Sequence, residues 1–148
     1  MYKHILIPSD GSKGAGKAVK QAIALGRSLG AKLTALNVAP EFQMVIDEGF
    51  VMPNAGEIKR RFDAQTAKQS KTIVETIAGE AHKAGLKCDT VVDRGDLPYE
   101  IILRHAKKLK CDLIVMGSHG RTGLAHILLG SETSKVLTHS KIPVLVVR

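Results

Sequence analysis

Five short apolar runs, each separated from the next by a helical pattern, constrain this chain more than any other feature. They are His4-Ile5-Leu6-Ile7, Leu33-Thr34-Ala35-Leu36-Asn37-Val38, Thr90-Val91-Val92, Leu113-Ile114-Val115-Met116 and Val144-Leu145-Val146-Val147. Most are continuous rather than alternating. Short runs of this kind, rich in Val, Ile and Leu, suit strands buried on both faces, as in a parallel sheet. Between them, Ala18, Ala22, Leu25 and Leu29 repeat at helical spacing, and Gly30 stands where that helix would stop. Ile58, Phe62, Ile73, Ile77, Ala81 and Ala84 mark one face of a long second helix ending at Gly85. Ile101, Ile102, Ala106 and Leu109 mark a third, and Val136 and Leu137 a fourth that begins near Ser131. The order β-α-β-α-β-α-β-α-β predicts a right-handed, doubly wound α/β sandwich. No linker or internal repeat interrupts it, so one domain over residues 1–148 is expected.

Composition narrows the function classes. A chain of 148 residues buries roughly 70% of its unfolded surface and needs no disulfide or metal to fold. The net charge is +8 with histidines neutral, which excludes an acidic protein without making a nucleic-acid binder. Single-strand binders stack bases on aromatic platforms. The scattered rings of Tyr2, Phe42, Phe50, Phe62 and Tyr99 cannot build one. Cys88 and Cys111 form neither a CxxC pair nor a disulfide framework, and read as buried, reduced thiols. The first residues hold no apolar run long enough for a signal peptide, and no stretch approaches the ~20 apolar residues of a membrane span. A soluble protein of a reducing cytoplasm, with no membrane partner, is the expectation.

In open α/β sheets, ligands bind beyond the carboxyl ends of the strands, where strand order reverses. The loops after the first and fourth strands are therefore the ones to inspect. After the first, Gly11-Ser12-Lys13-Gly14-Ala15-Gly16-Lys17 fits the P-loop spacing GxxxxGK. The next residue is Ala18, where a P-loop needs a hydroxyl for magnesium. A flexible loop with solvated lysines is the better reading. A dinucleotide fingerprint fails too, because Val19 occupies the third glycine position. Asp10 carries more information. Its carboxylate, just past Pro8 and Ser9, could accept hydrogen bonds from a ribose, help hold a metal near phosphates, or cap the loop into the first helix.

The fourth strand runs into Met116-Gly117-Ser118-His119-Gly120-Arg121, and Gly130-Ser131-Glu132-Thr133-Ser134 follows. The pattern is Gly117-x2-Gly120-x9-Gly130-Ser131. Glycines let backbone amides approach an anion closely. Gly130-Ser131 stands at a helix start, where free amides and the helix dipole attract phosphate. Hydroxyls of Ser131, Thr133 and Ser134 add donors, and Arg121 or His119 adds positive charge. The alternative is a glycine-rich crossover turn with Ser131 as an ordinary N-cap.

On these residues the chain resembles the universal stress protein family. The likeness covers nearly the whole length. It includes the opening Ile5-Leu6-Ile7-Pro8-Ser9-Asp10-Gly11-Ser12, the run Cys111-Asp112-Leu113-Ile114-Val115-Met116-Gly117-Ser118, and the ending Ile142-Pro143-Val144-Leu145-Val146-Val147. The family divides into nucleotide binders and non-binders, and G-x2-G-x9-G-[S/T] marks the binders. The resemblance implies a three-layer sandwich around a five-stranded parallel sheet of order 3-2-1-4-5, similar to the adenine nucleotide alpha hydrolases. It implies ATP or AMP, with or without Mg, between the first and fourth strand ends. Adenine would rest near Val38 and Ala39, with Pro8, Ser9 and Asp10 flanking base and ribose. Gly117, His119, Gly120, Gly130, Ser131 and Thr133 would hold ribose and phosphates, and Met116, Arg121 and Glu132 complete the candidate set. Two departures, Ser9 and the variant His119-Gly120-Arg121, bear on affinity more than on assignment.

Other features are weaker. Asp10 and His119 are the only plausible positioners for hydrolysis, and neither has an evident activating partner. No G-x-S-x-G elbow is present, so binding with slow or absent turnover is expected. His119 and His126 lack further ligands at metal spacing, so no metal site is expected. His4, His82, His105 and His139 read as surface or element-end residues. Arg104-His105-Ala106-Lys107-Lys108-Leu109-Lys110 reads as a solvated helix face with cations suited to a helix C-terminus. Pro40 to Glu57, with Gly49, Pro53 and Gly56, reads as a long connection, either a lid or a loop packing its own apolar side chains. The last run would form an apolar sheet edge with no protective charge before Arg148, which predicts a homodimer through Val144–Val147. Two alternatives stay open: a basic nucleic-acid-associated protein with a purely structural glycine loop, although nucleic acid is the less favoured partner, and a slow ATPase.

Overall fold

The structure, a computed structural model, describes residues 1–44, 49, 52–120 and 129–148. Along the chain come β1 (His4–Pro8), α1 (Lys13–Leu29), β2 (Lys32–Ala39), α2 (Ala55–Lys83), β3 (Cys88–Arg94), α3 (Pro98–Lys108), β4 (Leu113–Gly117), α4 (Ser131–His139) and β5 (Val144–Val147). Among the described residues, five strands pair in parallel in the order β3-β2-β1-β4-β5. The order reverses between β1 and β4, so the carboxyl ends of these two strands open a crevice.

Alternate residues of each central strand bury on opposite faces, which explains the continuous apolar runs. Ile5, Ile7, Leu33, Ala35, Leu113 and Val115 pack with Ala18, Val19 and Ala22 of α1 and with Val74, Ile77, Ala78 and Ala81 of α2. Leu6, Leu36, Ile114 and Met116 pack with Ile102 and Ala106 of α3 and Val136 of α4. The helix starts and stops are chemical. Ser12 caps α1, its hydroxyl oxygen accepting the Ala15 N–H at 3.2 Å, and Gly30 ends that helix at φ +66°.

Several sequence expectations need correction. Gly14, Ala15, Gly16 and Lys17 lie inside the first turns of α1, not in a flexible loop. A chain already helical at Lys13 cannot wrap a phosphate as a P-loop does. The connection after β2 ends at Asn54, because Gly56 and Glu57 belong to α2; residues 45–48, 50 and 51, Phe50 among them, lie outside the described residues. The buried line of α2 is Thr66, Ser70, Val74, Ile77 and Ala81, whereas Ile58 is exposed. The reason is level: Arg94, the last residue of β3, donates to the Asp63 carbonyl and to Thr66 Oγ1 at 3.1 and 2.8 Å. The turns before Asp63 therefore extend past the sheet. Phe62 there packs on Phe42 instead, with ring centroids 5.3 Å apart. Leu137 on α4 is also exposed.

Two of the histidines read as surface or element-end residues make structural bonds. His4 Nε2 lies 2.7 Å from Thr34 Oγ1, and its Nδ1 lies 3.2 Å from the Leu109 carbonyl. His105 bonds Asp93 Oδ2 at 2.7 Å, and Arg104 donates to the same oxygen at 2.8 Å. Two residues of the basic run thus anchor α3 to β3, while Lys107, Lys108 and Lys110 stay in solvent.

The His105 bond, opposed by partial burial and assisted by the Arg94 N–H and by Arg104, lowers the Asp93 carboxyl from 3.8 to about 2. A depressed carboxylate stabilises the fold fully above its unfolded value and loses that contribution as pH falls through the folded one. Stability should therefore drop between about pH 4 and pH 2. Solvent at a carboxylate that is 29% exposed reduces the expected loss to about 1 kcal/mol. Acid denaturation of wild type and Asp93→Asn checks this. The variant should lack that part of the pH dependence.

Burial pushes the Cys111 thiol up to about 11 and raises that of Cys88, so both are poor nucleophiles at neutral pH. Among the described residues, no helix is long and apolar enough to cross a membrane.

Candidate functional site

The crevice at the β1/β4 switch holds a cavity of about 300 Å³, at the lower end of small-molecule pockets. Its floor is apolar: Leu36 and Val38 from β2, Ile102 from α3 and Met116 from β4. One wall is Pro8, Ser9 and Asp10, with Ala15 of α1. The other is Gly117, His119 and Gly120, then Gly130, Ser131, Glu132 and Thr133 at the start of α4.

Each wall has a local cause. Ser9 N–H donates to the Leu36 carbonyl at 2.9 Å, and buried Asn37 donates to the Ser9 carbonyl at 2.8 Å, so the exit of β1 is tied to β2. Asp10 Oδ1 accepts the Ser12 N–H at 2.9 Å. Asp10 thus orders the turn into α1 and also lines the cavity. Across the crevice, Gly130 N–H donates to the Ser118 carbonyl at 2.6 Å, and Thr133 Oγ1 donates to the Gly117 carbonyl at 2.9 Å. These bonds dock the start of α4 onto the end of β4. Ser118 N–H, in turn, donates to the Val147 carbonyl at 2.8 Å.

The glycines answer to space. A Cβ on Gly117 would sit 3.0 Å from both the carbonyl carbon and oxygen of Gly14. One on Gly130 would meet the Ser118 oxygen at 3.2 Å, and one on Gly120 would meet Asp10 Oδ2 at 2.8 Å. Backbones and a carboxylate pass where side chains would otherwise be. The two helix starts differ in a telling way. α1 is capped by its own serine, whereas α4 has Gly130 at its cap position and, among the described residues, no side-chain bond to its first amides. The orphan N–H groups of α4 therefore belong to residues that border the cavity.

Glu132 has another task as well. Its Oε2 accepts the Tyr99 N–H at 2.9 Å in the first turn of α3, and its Oε1 lies 3.3 Å from Lys135 Nζ. His119 Nδ1 lies 2.9 Å from the Ser118 hydroxyl. Among the described residues no cluster of three or more His, Cys, Asp or Glu is arranged to hold a metal.

The cavity brings together the sequence candidates with three exceptions, of which Ser134 is simply absent from the lining. Ala39 is buried outside the lining, where its carbonyl accepts the Gly95 N–H at 3.0 Å. Arg121 lies outside the described residues. Sequence reading missed Leu36, Ile102 and Ala15. Strand alternation from Val38 would have found Leu36. Ile102 enters from a separate helix, and nothing local announces it.

An open α/β sheet with a crevice at its switch point is the doubly wound class, in which ligands bind beyond the carboxyl ends of the strands. Comparison with known proteins gives the family. The model described as "Universal stress protein family" matches residues 1–148, and the chain belongs to that family. It is 32% identical to universal stress protein MJ0577 of Methanocaldococcus jannaschii, over all of this chain and 96% of the relative. The solved structure of MJ0577 superposes with a TM-score of 0.85, covering 99% of this chain and 96% of that one, at 33% identity. Universal stress protein UspA from Lactobacillus plantarum gives a TM-score of 0.84 at 26% identity, covering 99% and 98% of the two chains. A family protein of Arabidopsis thaliana with AMP bound shares the fold, with a TM-score of 0.68 at 16% identity and coverage of 97% and 90%.

Proposed function

We propose that this chain, as one domain over residues 1–148, binds an adenine nucleotide, ATP or AMP, in the crevice between β1 and β4. The observation that carries this reading is the start of α4: first amides with no side-chain cap among the described residues, behind a glycine on which a Cβ would press against the Ser118 carbonyl oxygen at 3.2 Å, beside a 300 Å³ cavity. Such a start favours an anion through its N–H groups and its dipole. The apolar floor of Leu36, Val38, Ile102 and Met116 suits a flat base, and Ser9 and Asp10 offer oxygens to a ribose. AMP in the Arabidopsis relative lends support at the level of the fold.

Turnover is slow or absent in this reading. Asp10 Oδ1 holds the Ser12 amide and His119 Nδ1 lies against the Ser118 hydroxyl, so both groups have structural tasks in the crevice walls. The protein then acts as a nucleotide-responsive module of a stress response, in the reducing cytoplasm that its two buried thiols suit. Acid extraction of freshly purified protein, followed by mass spectrometry, should release an adenine nucleotide. A protein that carries none and binds neither ATP nor AMP in calorimetry overturns the reading.

The same proposal includes a homodimer through β5. The two sheet edges differ sharply. β3 is guarded by the Lys32–Asp89, Asp93–His105 and Arg94–Asp63 pairs, whereas β5 presents Val144-Leu145-Val146-Val147, with Leu145 exposed. An uncharged apolar edge favours pairing with a second copy. Val146→Lys should convert a dimer to a monomer in sedimentation velocity. A variant that sediments as a dimer counts against this interface.

A further inference from the structure

The described lining of the crevice holds the carboxylates of Asp10 and Glu132 and no lysine or arginine. A monophosphate brings about two negative charges, and a triphosphate chain roughly twice that. The uncapped amides of α4 can serve the first phosphate. Further phosphates, lying farther out, bring charge that a cation at the rim would meet; Arg121, next to Gly120, lies outside the described residues.

α1 supplies one. Its outer face carries Lys13, Lys17, Lys20 and Arg27, and the helix contains no acidic residue. Among the described residues none of the four is ion-paired, whereas Lys59, Arg61 and Lys71 of α2 each pair with an acid on their own helix. Lys13 stands in the first turn, where the helix dipole disfavours a cation. A placement that works against local stability points to a role outside it.

Geometry singles out Lys13. Its neighbour Gly14 lies against the crevice wall: a Cβ there would be 3.2 Å from the His119 carbonyl oxygen, and Gly14 itself abuts Gly117. The Lys13 Cα is about 3.8 Å from that of Gly14, and a lysine stem reaches about 6 Å further. Side chains on a helix lean toward its N-terminus, which here is the crevice end. Lys17 starts one turn, about 6 Å, farther away, and Lys20 farther still.

We infer that Lys13 is a specificity-determining residue of the crevice, its ammonium meeting the outer phosphates of a nucleoside polyphosphate and so favouring ATP over AMP. This rests on the nucleotide reading above and assigns the part of the ligand that the glycine wall does not reach. The test is calorimetric titration of wild type, Lys13→Gln and Lys20→Gln with ATP and with AMP, in EDTA so that no divalent cation supplies the counter-charge. Lys13→Gln should weaken ATP about fivefold, as befits one solvent-exposed charge contact, and leave AMP unchanged. Lys20→Gln should change neither. The Lys13→Gln melting temperature should hold or rise by about 1–3 °C as the repulsion from the dipole is removed.

Equal losses for ATP and AMP, no loss for either, or an ATP loss in Lys20→Gln matching that in Lys13→Gln each overturn the inference. The nucleotide reading survives all three. A wild-type protein that binds neither nucleotide sinks that reading, and this inference with it.

Discussion

Gly130→Val is expected to weaken adenine-nucleotide binding by about a hundredfold or more. That is the effect of losing two charge-assisted amide contacts to a phosphate. Backbone conformation is not the reason, because Gly130 has φ −65° and ψ 153°, which any residue adopts. Space is the reason. A Cβ would lie 3.2 Å from the Ser118 oxygen, 3.4 Å from the His119 Cα and 3.7 Å from the Gly120 nitrogen. These are main-chain atoms, and Gly130 itself is bonded to Ser118 at 2.6 Å. Valine must push the 118–120 backbone away from α4 or stand where the ligand goes. The fold is not spared either, and overpacking against backbone costs about 1–3 kcal/mol. Calorimetry with ATP, paired with a denaturant melt, separates the two effects. Gly130→Ala should be intermediate in both. An affinity unchanged in the valine variant would show that α4 does not meet the phosphates.

Ile5→Ala should destabilise the protein by about 2–5 kcal/mol. Ile5 is fully buried on central strand β1, within the cluster shared with α1 and α2. Truncation there removes apolar contact and leaves a cavity, because helices on a packed sheet relax only partly. The side chain belongs to the face opposite the crevice floor, so nucleotide affinity measured well below the melting temperature should stay within about twofold. The comparison is Val92→Ala on edge strand β3. Val92 is 44% exposed, and its loss should stay within about 0.5 kcal/mol. A urea midpoint shift no larger for Ile5→Ala than for Val92→Ala would refute the assignment of the core.

The alternation of elements was legible because burial on both faces leaves a mark on every position of a strand. Leu113 through Met116 read as a strand since no polar face interrupts them, and each residue proved to be buried. Boundaries were less legible. Gly14 and Gly16 suggested a loop, yet α1 begins at Lys13 because the Ser12 cap and the fit of Gly14 against Gly117 outweigh a weak local preference. Ile58 continued a helical stripe in sequence, but a stripe buries only where a sheet lies beneath it. His105 looked like one more cation on a basic helix, and it is joined to Asp93 across 12 residues of chain.

The candidate site divides in the same way. Its glycines, hydroxyls and Asp10 stand at strand ends, where spacing along the chain announces them. Ile102 carries no such signal, since only the packing of α3 on the sheet brings it into the crevice. The sequence by itself determined that this is a parallel α/β protein of the universal stress protein family, with its glycine loop after β4. Periodicity and residue type encode those local choices. Tertiary structure alone decided that Glu132 also caps α3, that Ala39 stands outside the lining, and that Lys13 sits one residue from the glycine wall. Each of these depends on distances between segments far apart in the chain, and such distances exist only once the sheet has closed and the helices have packed upon it.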